Sequence, residues 1–254
     1  MLLLSSLVLA APASAAIYFA TNYAGLGLKS WQGVHQPANT ERVSIVNGFA
    51  GMPGKVLKAE VRPGDKTYTG TYVAERSEVY GRMGTNYKIP TGYPDPVGST
   101  RWYAFNINLK PGFEVPPHGD TRWVEVTQWK GVNGSVPPIG IMAQWDRLKL
   151  KVLRSADQPV IDIGGANRGS WIRFSIGVKW STGNDGWIQV FRDGKEIVPR
   201  FSTPTMQIIN GIPDAVYFKQ GIYRGAGFTT THTAYFSDVK IGSYRPEIDL
   251  PLLR

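Results

Sequence analysis

Residues 217–224 read Tyr217-Phe-Lys-Gln-Gly-Ile-Tyr-Arg224, and how this run folds decides how the rest of the chain is read. Taken as a β-strand with period two, it sets Tyr217, Lys219, Gly221 and Tyr223 on one face and Phe218 and Ile222 on the other, with Gln220 between them. One face therefore carries two phenols, an ammonium and a stretch of bare backbone. Lys219 and Tyr223 are about 13 Å apart along such a strand, too far to grip one atom but well placed to grip neighbouring parts of an elongated ligand. Gly221 between them leaves the sheet open to something flat. The face has the makings of a floor on which a sugar chain can lie.

Working outward, Gly (29) and Pro (18) punctuate a series of short alternating runs. Strands are predicted at Lys55–Val61, Thr67–Tyr80, Trp102–Leu109, Trp123–Lys130, Ile139–Gln144, Leu148–Leu153, Val160–Ile163, Trp171–Trp180, Trp187–Phe191, Val216–Arg224 and Thr230–Ile241. Asp193-Gly194 marks a hairpin turn. No segment carries an apolar stripe of helical period over three turns. Many short strands at this spacing predict an all-β fold, a single β-sandwich jelly roll. The Pro- and Gly-rich stretch Lys88–Ser99 is expected to be a long loop bordering a groove, and Tyr244–Arg254 a surface strap.

The first fifteen residues read as a secretory signal: Leu2–Ala10 is apolar but too short to span a bilayer, and Ala13-Ser-Ala15 offers a small-residue cleavage site. A mature chain from Ala16, secreted by bacterial-type export, is expected. It would keep about 239 residues, enough for one all-β domain spanning 16–254. With 42% hydrophobic residues, including eight Trp, twelve Tyr and ten Phe, the core can be large. The absence of Cys removes thiol nucleophiles and Cys-based zinc sites. A net charge of +9 attracts polyanions, whether acidic polysaccharide, nucleic acid or an anionic surface, and equally serves solubility.

Three runs could carry chemistry. In Tyr72–Tyr80, Arg76 and Glu78 share a face, so the carboxylate can hold the guanidinium and present its fork to a substrate carboxylate; the same pair would also make a plain structural ion pair. In Glu125–Lys130, Gln128 and Lys130 share a face, an amide beside a cation. The third is the opening run, although a Tyr on a β face more often packs than reacts.

In this order the runs resemble the heparin lyase I-like polysaccharide lyases, a group that includes glucuronan lyases, and more distantly the alginate lyases of the same concanavalin A-like sandwich. The resemblance rests on Arg76-Ser-Glu78, Trp102-Tyr-Ala-Phe105, Gln128-Trp129, Trp180-Ser181 through Asp185-Gly186 to Asp193-Gly-Lys195, Lys219-Gln-Gly-Ile-Tyr-Arg224 and the closing Ala234–Ile241. It implies two curved antiparallel sheets with a substrate groove on the concave face, and cleavage of a uronic-acid polymer by β-elimination. Gln128 and Arg76 would neutralise the uronate carboxylate and stabilise the enolate-like intermediate. Tyr223 would act as base, acid or both, its pKa lowered from about 10 by Arg76 or Lys219. Glu78, Lys130, Arg224, Tyr217 and His118 are the substrate-binding candidates. Lys130 stands where that family usually has His after Gln-Trp; either Lys130 takes part of that role or another His enters the groove, the chain's three being His35, His118, just before the Gln128 strand, and His232, after Tyr223.

A glycoside hydrolase would need two close carboxylates, and no Glu-x-Asp-x-x-Glu run occurs. A non-catalytic binding module for acidic polysaccharide would use the same aromatics and cations without a poised Tyr. Nucleic-acid binding fits the charge, but no phosphate loop or recognised module appears. The expected partner is an anionic polysaccharide, with no nucleic acid and no membrane, met by a monomer. No cofactor is required; the resemblance allows a structural calcium ion, for which Asn184-Asp185 is the one loose candidate.

Overall fold

A computed structural model describes residues 16–67, 74–81, 94–134, 136–153 and 160–251. Residues 1–15, expected to be a signal, the front of the Thr67–Tyr80 run with Tyr72, and most of the Lys88–Ser99 loop lie outside them. In chain order the strands are β1 Ile17–Ala20, β2 Gly33–His35, β3 Val43–Asn47, β4 Lys55–Val61, β5 Ala74–Tyr80, β6 Thr100–Leu109, β7 Val124–Gly131, β8 Ile139–Gln144 and β9 Arg147–Val152. They continue with β10 Val160–Gly165, β11 Trp171–Lys179, β12 Trp187–Arg192, β13 Lys195–Ser202, β14 Ile208–Ile209, β15 Ile212–Pro213, β16 Val216–Gly225, β17 His232–Phe236 and β18 Lys240–Gly242. Helix is confined, among the described residues, to a 3-10 turn at Gly27–Ser30 and a single α-turn at Arg245–Ile248.

Two antiparallel sheets face each other, and the protein is the expected all-β sandwich. The larger runs β13-β12-β11-β6-β17-β4-β3, with β18 and β1 appended beside β6; the smaller runs β10-β9-β8-β7-β16-β5-β2. The β12–β13 hairpin turns at Asp193-Gly194, where both residues have positive φ. That is the left-handed pair a tight two-residue hairpin demands. The run expected as one strand over Thr230–Ile241 is two. It breaks after Phe236 because the Asp238 carboxylate accepts from the Thr21 hydroxyl and the Tyr23 N–H, and so pins the N-terminal segment there.

The core fills the space between the sheets, and Phe218 shows how it sets up the opposite face. Its ring lies 5.3 Å from Trp129 in the same sheet and 5.5 and 5.6 Å from Tyr103 and Phe105 in the facing one. Burying a ring of this size stabilises the fold by roughly 2–3 kcal/mol. With Phe218 fixed inward, alternation forces Tyr217 and Lys219 outward onto the other side of the small sheet. On the described part of the 88–99 loop, Asp95 pairs with Val216 at the head of β16. Its carboxylate takes Arg101 at 2.6 Å and the Tyr103 hydroxyl, and burial, opposed by Arg101, pushes it up to about 6.

Candidate active site

The strands β5, β16 and β7 are far apart in sequence but adjacent in the small sheet, so the three chemistry-bearing runs meet. Register places Tyr223 opposite Arg76 on one side and Glu125 on the other. Gly221 lies opposite Glu78, Lys219 between Tyr80 and Gln128, and Tyr217 opposite Lys130. Gly221 has a positive φ, and an added Cβ would fall 2.2 Å from the Ser77 carbonyl oxygen. Only glycine therefore lets β16 run this close to β5.

Glu78 is the hub. One of its oxygens receives the Lys219 ammonium at 2.7 Å and has the Arg76 guanidinium at 3.8 Å; the other accepts from the Gln128 amide. A carboxylate only accepts, which fixes the amide with its nitrogen toward Glu78 and leaves its second N–H for another acceptor. Glu78, Lys219 and Gln128 are each 2% exposed. Burial alone would raise the Glu78 carboxyl, but Lys219 and Arg76 outweigh it and hold it below the usual carboxylate range. Burial pulls the Lys219 ammonium down, with Glu78 opposing. Arg76 and Tyr223 form the half-buried edge of the cluster: the guanidinium sits over the phenol ring, 4.1 Å from its centre. Trp123 meets the same ring edge-on at 4.7 Å.

Tyr223 opens into a cleft of about 280 Å³ that also takes in Arg122, Trp123, Glu125, Met142, Gln144 and Lys151. Glu125 and Lys151 are ion-paired there. Sequence reasoning missed both as site residues, and Glu125 for a definite reason. Strict alternation sets it on the face opposite Gln128. In the fold, β7 carries a bulge between Glu125 and Thr127, Val126 turns into the core, and Glu125 returns to the groove face. Of the three histidines, His35 is the one beside the cluster: it lies on the three-residue strand β2, too short to be predicted, opposite Glu78, its ring 4.3 Å from that of Tyr80.

Other expected site residues lie elsewhere. Arg224 is 0% exposed on the core side, where it binds Glu75 at 2.7 Å and the Thr230 carbonyl oxygen at 2.9 Å, so it is corrected from a substrate contact to an internal tie. His232, the alternative histidine, is stacked on Phe113 at 4.4 Å inside the protein and does not enter the groove. His118 is exposed, but its ring packs on Trp145, at the turn between β8 and β9, rather than beside Gln128. Lys130 and Tyr217 form the far end of the groove-face row; the Lys130 ammonium donates to the carbonyl oxygens of Gly131 and Gly134. Asp185 does not fit a calcium site: its carboxylate is taken by Lys179 and the Ser181 hydroxyl. Among the described residues no group of three His, Asp or Glu is set to hold a metal.

A family model described as polysaccharide lyase matches residues 25–240. The chain belongs to that family. It is a polysaccharide lyase enzyme, and the cleft beside Tyr223 lies on its small sheet. Solved structures confirm the fold. The endo-β-1,4-glucuronan lyase of the fungus Trichoderma reesei is similar at 18% identity, over 86% of this lyase and 93% of that chain, with a TM-score of 0.63. The cellulose induced protein Cip1 is similar at 14% identity, over 85% and 92%, with 0.54. The family-7 alginate lyase A1-II' is similar at 16%, over 82% and 86%, with 0.53. No curated protein sequence matches this lyase.

Proposed function

We propose that this lyase cleaves a uronic-acid-containing anionic polysaccharide by β-elimination, with Tyr223 moving the proton. The observation that carries the reading is the stacking of Arg76 on Tyr223, with Arg76, Gln128 and Lys219 gathered on one carboxylate beside it. Similarity to structures named glucuronan lyase and alginate lyase, both enzymes of uronate polymers, supports it.

The C5 proton of a uronate is weakly acidic while the adjoining carboxylate is charged. Arg76 and the second N–H of Gln128 offer donors that can neutralise that carboxylate and stabilise the enolate-like intermediate as charge moves onto it. Glu78 keeps both donors in place, and Lys219 balances Glu78. Tyr223 then removes the C5 proton, the C4–O4 bond breaks, and the departing O4 receives a proton, which a phenol on the same side of the ring can return. The electron pair of the C5–H bond becomes the C4–C5 double bond. The positive balance of the chain favours a polyanion as partner.

A panel of uronate polymers followed by ultraviolet absorbance tests the proposal, because elimination creates an absorbing unsaturated uronate. At least one polymer should yield it. Absorbance flat across every acidic polymer, with binding retained, would turn the reading into that of a binding protein.

A further inference from the structure

Glu125 is an unusual residue for a groove meant to hold a polyanion. The residue lines the cleft and lies directly across the strand pair from Tyr223. Side chains so paired are immediate neighbours on their face of the sheet. Glu125 is 3% exposed. Lys151 holds one oxygen, and Gly140 on the neighbouring strand leaves room for it: a Cβ there would fall 3.0 Å from that oxygen. The other oxygen is buried and accepts no hydrogen bond from the protein. A buried acceptor without a donor is costly, and a charged one more so.

Resting on the elimination reading above, we infer that Glu125 is a specificity residue: its second oxygen accepts a hydrogen bond from a free hydroxyl of the sugar bound beside Tyr223. The preferred substrate is therefore a polyuronate unsubstituted at its hydroxyls, and O-sulfated polymers are excluded. A carboxylate can only accept, so a sugar O–H satisfies it and a sulfate ester brings a second anion with no proton to share. Like charges brought together in a desolvated contact repel strongly and disfavour the wrong partner. Sites built to bond a substrate hydroxyl reject analogues that lack it by large factors, because the buried partner is left unmatched. Lys151 makes the arrangement stable by neutralising Glu125 through its first oxygen.

The test uses a β-1,4-linked polyglucuronate and the same polymer chemically O-sulfated. Affinities are measured by calorimetry on the Tyr223→Phe protein, whose turnover should be too slow to deplete the polymer, and wild-type turnover is followed separately by absorbance. The Tyr223→Phe protein should bind the unsubstituted polymer at least about 10-fold more tightly, although the sulfated one carries more charge and would otherwise bind a basic protein better. Adding Glu125→Gln, or Glu125→Gln with Lys151→Met so that no cation is left unpaired, should erase or reverse that preference. Equal or tighter binding of the sulfated polymer to Tyr223→Phe overturns the inference, as does an unchanged preference in both Glu125 variants, or no binding of either polymer. A preference that holds while wild type yields no absorbing product keeps the hydroxyl subsite and removes the elimination chemistry instead.

Discussion

The same two strands, β5 and β16, carry a buried cation–carboxylate pair on each of their faces. On the groove face Lys219 meets Glu78 at 2.7 Å; on the core face Arg224 meets Glu75 at 2.7 Å. By burial and distance the two are twins. They differ in what else they touch. The inner pair is closed by groups of the fold itself, the Thr230 carbonyl, the Gly64 N–H and the Phe228 ring. The outer pair is joined by Arg76 and Gln128, and Arg76 leads to Tyr223 in an open cleft. Buried charge alone does not mark a site; buried charge that ends on a group open to a ligand does.

The comparison is broken most severely at Tyr223. Tyr223→Phe should lower kcat by about 10⁴-fold, the upper end for a residue that serves as both base and acid, with an unchanged melting temperature. A loss under tenfold would detach the phenol from the chemistry. The inner pair should respond in stability instead. Arg224→Met strands Glu75 in the core and should cost about 3–5 kcal/mol in denaturant unfolding, with kcat of the folded fraction intact. Glu75→Gln added to it should recover part of that loss. Gln128→Ala comes next, with a loss of about 10²–10³-fold in kcat, typical for removing one donor to developing charge. If it only raised KM, Gln128 would be a binding group.

The smallest effect sharpens the inner side. His232 lies between Phe113 and Phe228, neither ring nitrogen bonded, and burial, helped by Arg224 and Arg122, lowers it from 6.5 to about 3. Between those values the unfolded chain binds a proton that the folded protein refuses. Stability therefore falls as pH drops below about 6.5, by about 2 kcal/mol at pH 5. His232→Phe should raise the melting temperature more at pH 5 than at pH 8; parallel curves would show that the imidazole is protonated in place.

The fold was legible because it rests on alternation and turn residues, which are local. β4 and β8 match their expected limits, and β16 runs one residue past its own. The meeting of Arg76, Glu78, Gln128, Lys219 and Tyr223 followed from period two plus the resemblance. What escaped lies where alternation fails or is too short to see. The bulge beside Glu125 reverses parity, and β2 is too brief to announce His35. Arg224 was misplaced for the opposite reason. Alternation sets it on the far face from Tyr223, and only its position in the Lys219–Arg224 motif drew it into the groove.

The central claim is that bond scission here adds no water. A defined uronate oligomer cut to completion, with every fragment weighed by mass spectrometry, tests it directly. Fragment masses that sum to the parent are the expected result, one fragment carrying the new double bond. Fragments that sum to the parent plus one water per cut would contradict the account.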